Sequence, residues 1–432
     1  MSKQNHKNHD EFAAPAPIFG TKVTGKPEDA RHTNLQLVLQ QIVQSTQLLS
    51  RAKIATQTGI TRATVSRLID EFIEHGFLLE NQPTTSTTPG RPATPLELNA
   101  YRYIGLGIEI NVSSAHITGL DLHGNQLFSY AERLEDAHSR EPEYILPHLG
   151  QKIDELCAEH DITSTSLAGA VLSVPGLVDH TRETILHLPN LEWSNVQPIP
   201  ILQSSILDEV RKRRHDDSSN RLVNPPAITV LNEANAAAMA TAYQRPGVPG
   251  SIGDFLYISG EIGVGGALIR NHQPISGSHG WAGEVGHVCV DPAGPPCQCG
   301  SRGCLEQYLG RKAISTNCGF DTLATNQQII QRIKEGDAAT TTGIEIAANA
   351  LGNALAGIIN VIDINTVVLG GALAELTQLL ETCAQETLRT HLLSYRWAPV
   401  VFQADACGET ASSRGGAIMT LNHVLHYPSS YL

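Results

Sequence analysis

Leu35, Val38, Leu39 and Ile42 recur at i, i+3, i+4 and i+7, the spacing of one face of a helix, with Thr33 or Asn34 as its cap. In "LLSRAKIATQTGITRATVSRLIDEFIEHGFLLE", Ser50 reads as the cap of a short helix that Gly59 stops. Thr61 then caps a second helix whose apolar face is Val65, Leu68, Ile69, Phe72 and Ile73, and Gly76 ends it before a strand at "FLLE". "NQPTTSTTPGRPATP" (81–95) is polar and proline-rich and predicts a loop or hinge. From Tyr103 the period changes from helical to twofold. "YIGLGIEIN" and "SAHITGLDLHGN" alternate as strands do, and "SLAGAVLSVPGLVD" ends in a Pro-Gly turn. "AITVLNEANAAAMATAY" runs from strand into an alanine-rich helix, "DFLYISGEIGVGGALI" is strand, glycine turn and strand, and "GIEIAANALGNALAGIINVID" is a long helix before the strand "TVVLGG". Strands alternating with helices predict an α/β body of helix-covered sheets. No short repeat is apparent.

A chain of 432 residues has room for two or three domains, and 41% hydrophobic with 17% charged residues is a globular balance. Residues 1–30 are polar and read as a disordered leader without the apolar core of a signal peptide. No run of about 18 apolar residues predicts a membrane span. Cys157, Cys318, Cys383 and Cys407 are scattered, as reduced cytoplasmic thiols are. The net charge is −13, but residues 1–98 hold ten Lys and Arg against nine Asp and Glu, while the rest holds 20 against 34. A near-neutral head on an acidic body suits a head that touches an anion.

The two helices joined by a glycine turn form a helix-turn-helix pattern. Off the apolar face of the second lie Arg62, Thr64, Ser66 and Arg67. Arginine matches guanine edges in the major groove, and hydroxyls suit phosphates or bases. The same pattern also fits a three-helix packing unit with solvated arginines. The strand that follows and "PGRP" (89–92) match a wing that lays Arg91 along a minor groove, or else a rigid linker turn.

In "GHVCVDPAGPPCQCGSRGCLE" (286–306), His287, Cys297, Cys299 and Cys304 supply one imidazole and three thiolates, a closed tetrahedral zinc set. Such a set leaves no open position for water, so the expected Zn2+ is structural. Cys289, two residues from His287 on what reads as a strand, is left outside.

Gly286-His287 followed by "CQCGSRGCLE" resembles the signature of the ROK family (repressors, open reading frames, kinases). The resemblance covers nearly the whole chain, and its head resembles that of the sugar-responsive repressor branch. It implies a winged helix-turn-helix over residues 31–98, then a two-lobed actin-like, hexokinase-like (ribonuclease H-like) body, with lobe one at 99–225 and lobe two with the zinc motif at 226–432. By the same resemblance Asn232, Glu233, Glu284, His287 and Glu306 face a sugar, with Glu233 at the kinase-base position. "SVPGLVD" and "LPNLEW" resemble loops that close over the sugar, where Asn190 either bonds a hydroxyl or serves the turn.

The kinase pattern Asp-x-Gly-Gly-Thr is replaced by "IEINVSS", which puts Glu109, Asn111 and Val112 where the acid and glycines belong. Glu233 stands in place of aspartate, and Glu261 puts negative charge in the second glycine-rich turn. Gly370 and Gly371 resemble the adenosine-side turn. The expected function is a DNA-binding repressor of carbohydrate-utilisation genes, not an enzyme, released by a monosaccharide or sugar phosphate. The alternative is an ATP-dependent sugar kinase with a DNA-binding head, and control by a partner protein is a third reading. A homodimer or homotetramer on operator DNA is expected, with lobe closure passed to the heads through the linker near Thr84–Pro95.

Overall fold

The computed structural model describes residues 27–82, 94–213, 222 and 224–432. Its first helix, α1 (Pro27–Gln44), starts upstream of the expected caps, so Thr33 and Asn34 lie inside it, and it takes in the end of the expected leader. Proline suits a helix start because its missing N–H has no partner there to lose. Leu35, Val38, Leu39 and Ile42 are buried, as their spacing predicts. In α2 (Arg51–Thr58) the Ser50 hydroxyl accepts from the N–H of Lys53, and Gly59 closes the helix at φ 72°. Thr61 caps α3 (Arg62–Glu74) in the same way. Strands β1 (Leu78–Glu80) and β2 (Leu96–Leu98) pair antiparallel, with Leu79 opposite Glu97. The PGRP turn, Arg91 and nearly all of the expected linker lie outside the described residues.

The body holds two five-stranded sheets of the same topology. In the first, β3 (Ile104–Ile110), β4 (Ser114–Leu120) and β5 (Gln126–Arg133) form an antiparallel meander. Helix α4 (Pro142–Glu159) crosses to β6 (Leu167–Val174), parallel to β3. A small sheet of β7 (Leu177–Val178), β8 (Ile185–Leu188) and β9 (Trp193–Val196) follows, then α5 (Pro198–Arg213). The edge strand β10 (Ile228–Asn232) completes the order β10-β6-β3-β4-β5. The first sheet thus takes in a strand beyond the 99–225 expected for lobe one. After α6 (Glu233–Ala242) and the short pair β11 (Tyr243–Arg245) and β12 (Val248–Pro249), the second sheet repeats the plan. Its meander is β13 (Phe255–Gly260), β14 (Val264–Arg270) and β15 (Gln273–Pro274). Helices α7 (Glu306–Leu309), α8 (Arg311–Asn317), α9 (Asn326–Lys334) and α10 (Ala338–Ile362) lead to β16 (Thr366–Gly371). Helix α11 (Thr377–His391), strand β17 (Val401–Ala404) and helix α12 (Ala411–His426) finish it. Helix α10 is long and apolar enough to cross a membrane by composition, but Ala347, Ala348, Leu351 and Leu355 are buried in the core beside α11.

Helices α6 and α12 exchange places. Helix α6 follows the first sheet and packs on β14 and β13, whereas α12 follows the second and packs on β3 and β6. They cross each other closely, and a Cβ on Gly415 would lie 1.8 Å from the Ala236 carbonyl oxygen. One hydrophobic cluster runs from Leu35, Leu68 and Phe72 in the head through Phe77 and Tyr103 to Ala237, Met239, Leu421 and Leu425 on these two helices. Polar bonds reinforce the seam. Arg102 donates to the carbonyl of His75 (2.6 Å), Asn99 to that of Gly76 (2.9 Å) and Arg245 to that of Val43 (2.6 Å). Buried Nη1 of Arg245 and Nδ2 of Asn422 have no hydrogen-bond partner among the described residues.

Because the crossing has no space for a side chain, Gly415→Ala is expected to cost about 1–3 kcal/mol, the range for overpacking. The midpoint of urea unfolding measures it, and an unchanged midpoint would show that the helices can part.

Candidate functional site

The junction of β10 with α6 builds one wall of a cleft. Asn232 is the N-cap: its Oδ1 accepts from the N–H of Ala234 (2.9 Å), and its Nδ2 donates to the carbonyl of Gly176 (3.2 Å) in the lobe-one loop. Glu233 opens the helix. Burial, then the nearby charges of Glu109, Glu261 and Glu284, push its carboxyl up to about 8. Asn111 donates to Glu233 Oε2 (3.1 Å) while its own Oδ1 accepts from the N–H of Val112 (2.7 Å). The turn between β3 and β4 is thus occupied by the Asn111 amide, and Val112 beside it is buried. Glu109 and His116 face each other in register across β3 and β4, with Nδ1 and Oε2 3.5 Å apart, both buried. Burial opposes the imidazolium of His116, but Glu109, Glu409 and Glu261 outweigh it and raise its pKa.

The opposite wall is the segment from Glu284 to Glu306. Glu284 precedes a tight turn, Val285–His287. Burial raises its carboxyl, His287 opposes the shift and Glu306 adds to it. Glu306 starts α7, and its Oε2 accepts from the N–H of Val264 (3.2 Å) while Oε1 lies 3.9 Å from Cys297 Sγ. A Cβ on Gly263 would lie 2.6 Å from Glu306 Oε2 and 3.4 Å from Asn190 Nδ2, so the two sequence candidates flank the same small space. Asn232 and Glu284 line an open cleft, together with Asn235, Trp281, Arg182 and Met419. The Trp281 indole N–H donates to the carbonyl of Val178 (2.8 Å), which pins its ring to the lobe-one loop.

His287, Cys297, Cys299 and Cys304 bring one ligand atom each within 4.8 Å of all the others. The imidazole presents Nδ1, 3.8 Å from Cys297 Sγ, and the sulfurs of Cys299 and Cys304 are 3.7 Å apart. Tetrahedral zinc with bonds of about 2.3 Å to sulfur sets sulfurs about 3.8 Å apart, so the donor set fits a metal ion of that kind. Gly303 (φ 64°) allows the fold-back, since a Cβ there would meet the Asp291 carbonyl oxygen at 1.6 Å. Cys289 pairs its backbone with Cys304 and is exposed, outside the group.

In the head, Arg62 and Arg67 are exposed, and no ion pair holds them among the described residues. Thr64 and Ser66 are half-buried. The Thr64 hydroxyl is bonded to that of Thr61 (2.9 Å), which makes it part of the cap. Arg51, by contrast, is neutralised by Asp70 (2.5 Å) and Glu80 (2.7 Å).

The ROK family profile matches residues 106–423, most of the chain. The chain belongs to the ROK family. An IclR helix-turn-helix domain matches residues 37–81, so this ROK protein carries a DNA-binding type of head. The xylose repressor of Caldicellulosiruptor bescii is 25% identical over 92% of this chain and 98% of its own. The Escherichia coli DNA-binding transcriptional dual regulator NagC is 24% identical over 80% of this chain and 82% of its own. Among solved structures, a ROK family transcriptional regulator homologous to the E. coli MLC protein superposes with a TM-score of 0.73 at 19% identity, covering 93% of this chain and 98% of that one. A ROK glucokinase from Streptomyces griseus, solved with glucose and AMPPNP, gives 0.58 at 22%, covering 73% and 98%. These two share the fold.

The sequence missed Arg182, Asn235 and Trp281 in the cleft. Asn235 left a signal, a second amide three residues after Asn232 in an alanine run. Arg182 left none, since a cation in a polar turn looks like any surface residue.

A carboxyl whose pKa is higher folded than unfolded binds an extra proton in the native state between the two values. Stability is then greatest below the unfolded value of 4.5 and falls as pH rises towards about 8. Glu233→Gln should flatten that decline in urea midpoints measured from pH 5 to 8; an unaltered slope would assign it to other groups.

Proposed function

We propose that this ROK protein is a sugar-responsive transcriptional repressor: the head binds double-stranded operator DNA, and the cleft binds a monosaccharide or sugar phosphate. The observation that carries this reading is the single hydrophobic core that joins α3 to α6 and α12. Asn232, on the cleft wall, caps α6, α6 packs closely on α12, and α1 of the head rests on α12, so a ligand there acts through α6 on the helix that carries the head. The names of the relatives, xylose repressor and NagC, support both the DNA and the sugar.

Arg62 and Arg67 are the exposed cations for base edges and phosphates, with Ser66 beside them. Thr64 contributes through its backbone end of the cap more than its hydroxyl. Glu284, Glu233 and Glu306 supply acceptors for sugar hydroxyls, and His287 offers its Nε2 from behind. Asn232 holds the lobe-one loop at Gly176, so it shapes the cleft and keeps one amide hydrogen for a ligand. A Zn2+ ion held by His287, Cys297, Cys299 and Cys304 is structural: it stiffens the wall that carries Glu284 and Glu306. Phosphoryl transfer is disfavoured, because Asn111 and Val112 fill the phosphate turn, and Glu109 and Glu261 would repel its charge. The protein works in the cytoplasm as a homodimer on a pseudo-palindromic operator. Induction requires the sugar to bind the DNA-incompetent state more tightly than the competent one.

In a mobility-shift titration, Arg67→Ala is expected to weaken operator binding by about 1–3 kcal/mol without changing sugar affinity. Glu284→Ala should keep DNA binding and lose the sugar response. Sugar phosphate formed from labelled ATP at enzyme-like turnover would favour the kinase instead.

Metal analysis of the purified protein should find one zinc per chain, lost with Cys299→Ser. Chelation should lower the melting temperature; a metal-free protein of unchanged stability would remove zinc from this reading.

A further inference from the structure

The segment that follows α12, Tyr427–Leu432, has no regular structure beyond the single turn Pro428–Ser430, yet it is tied to both head and body. One tie is to α1: Ser429 Oγ bonds His32 Nδ1 (2.8 Å), and the Tyr427 ring stacks on the His32 ring at 5.6 Å. A second is to Tyr103, just past the head's last strand. The Tyr103 hydroxyl donates to the carbonyl of Tyr431 (3.0 Å), and the two rings meet edge to face at 5.3 Å. The third is to α12 itself, where His423 Nδ1 bonds the Tyr431 hydroxyl (3.0 Å) and the imidazole lies 5.0 Å from the Tyr427 ring. Tyr431 and Leu432 also pack against the hydrophobic cluster shared by head and body.

Tyr103 extends this set of contacts to α3. Its ring lies 5.1 Å from that of Phe77, which lies 5.5 Å from that of Phe72. Rings therefore run without a break from α3, through Tyr103, Tyr431, His423 and Tyr427, to His32 in α1. The segment grips two edges of the head while rooted on α12. Beneath it the seam is tight: Val43 of α1 is 2% exposed, and a Cβ on Gly247 would lie 2.7 Å from Val43 Cγ1 and 2.8 Å from Leu425 Cδ1.

We propose that Tyr427–Leu432 is a strap that holds the head docked on α12, and that its release lets the head leave the seam as a folded unit. A segment without a backbone ladder of its own opens more readily than the helices it joins. The three head helices pack on one another, so they do not need the strap to keep their fold. Each ring pair or hydrogen bond in the strap multiplies the docking equilibrium by a factor of about three. The strap uses no group of the cleft, so it stands or falls apart from the sugar reading.

Maleimide labelling of the full chain, read by peptide mass spectrometry, tests this with two introduced thiols. Val43→Cys lies in the seam and is reached when the head undocks. Ile54→Cys, in α2, replaces a side chain that is 0% exposed among the head's own helices and is reached only when the head unfolds. The labelling rate of a native protein follows its opening equilibrium. Stopping the chain after His426 should speed labelling at Val43→Cys by about tenfold and leave Ile54→Cys at its original rate. His32→Ala and Tyr103→Phe, which loosen one tie each, should each speed labelling at Val43→Cys about threefold. If the shortened chain does not fold, these two variants decide. Equal acceleration at both thiols would make the segment a brace of the head's own fold, and an unchanged rate at Val43→Cys would show that it fastens nothing. Either result overturns the proposal.

Discussion

The crossing of α6 over α12 is the constraint on which the other features depend. Each helix is connected to one sheet and packed on the other, so neither lobe can be closed without its neighbour's helix. The contact is backbone against backbone at Gly415 and Ala236, with no flexible side chain to absorb a shift. Closely packed elements of this kind move as units and have few alternative arrangements. The head's apolar faces join the same cluster, with α1 packed on α12 and α3 packed on α1.

The electrostatics of the cleft follow from the same frame. Glu109 in β3, Glu233 at the start of α6 and Glu261 in the turn between β13 and β14 act on one another, with His116 as the buried counterweight. Burying several carboxylates together is costly, and the cost is met by protonation or hydrogen bonding, as the raised pKa of Glu233 and its bond from Asn111 illustrate.

Local chemistry was the most legible part of the sequence. Ser50, Gly59 and Thr61 punctuate α2 and α3 as their types predict, since capping depends only on neighbours a few residues away. The cysteine spacing located the cluster of four donors that could hold a metal, because donors within one loop need little long-range information. What escaped depends on distant chain segments. The start of α1 at Pro27 was obscured by polar residues around it. The membership of β10 in the first sheet is decided by its pairing with β6, which no periodicity encodes. The bond from Asn111 to Glu233 joins residues far apart in sequence, so substitution of a glycine could be seen but not the plug it forms.

At the seam between head and body, Nη1 of Arg245 and Nδ2 of Asn422 are buried without partners among the described residues. Each such donor forfeits about 1–3 kcal/mol of hydration that it regains as soon as water can reach it. The docked head is therefore held by apolar burial against a standing polar debt. Loosening the seam by the width of a water molecule returns part of what it loses in packing.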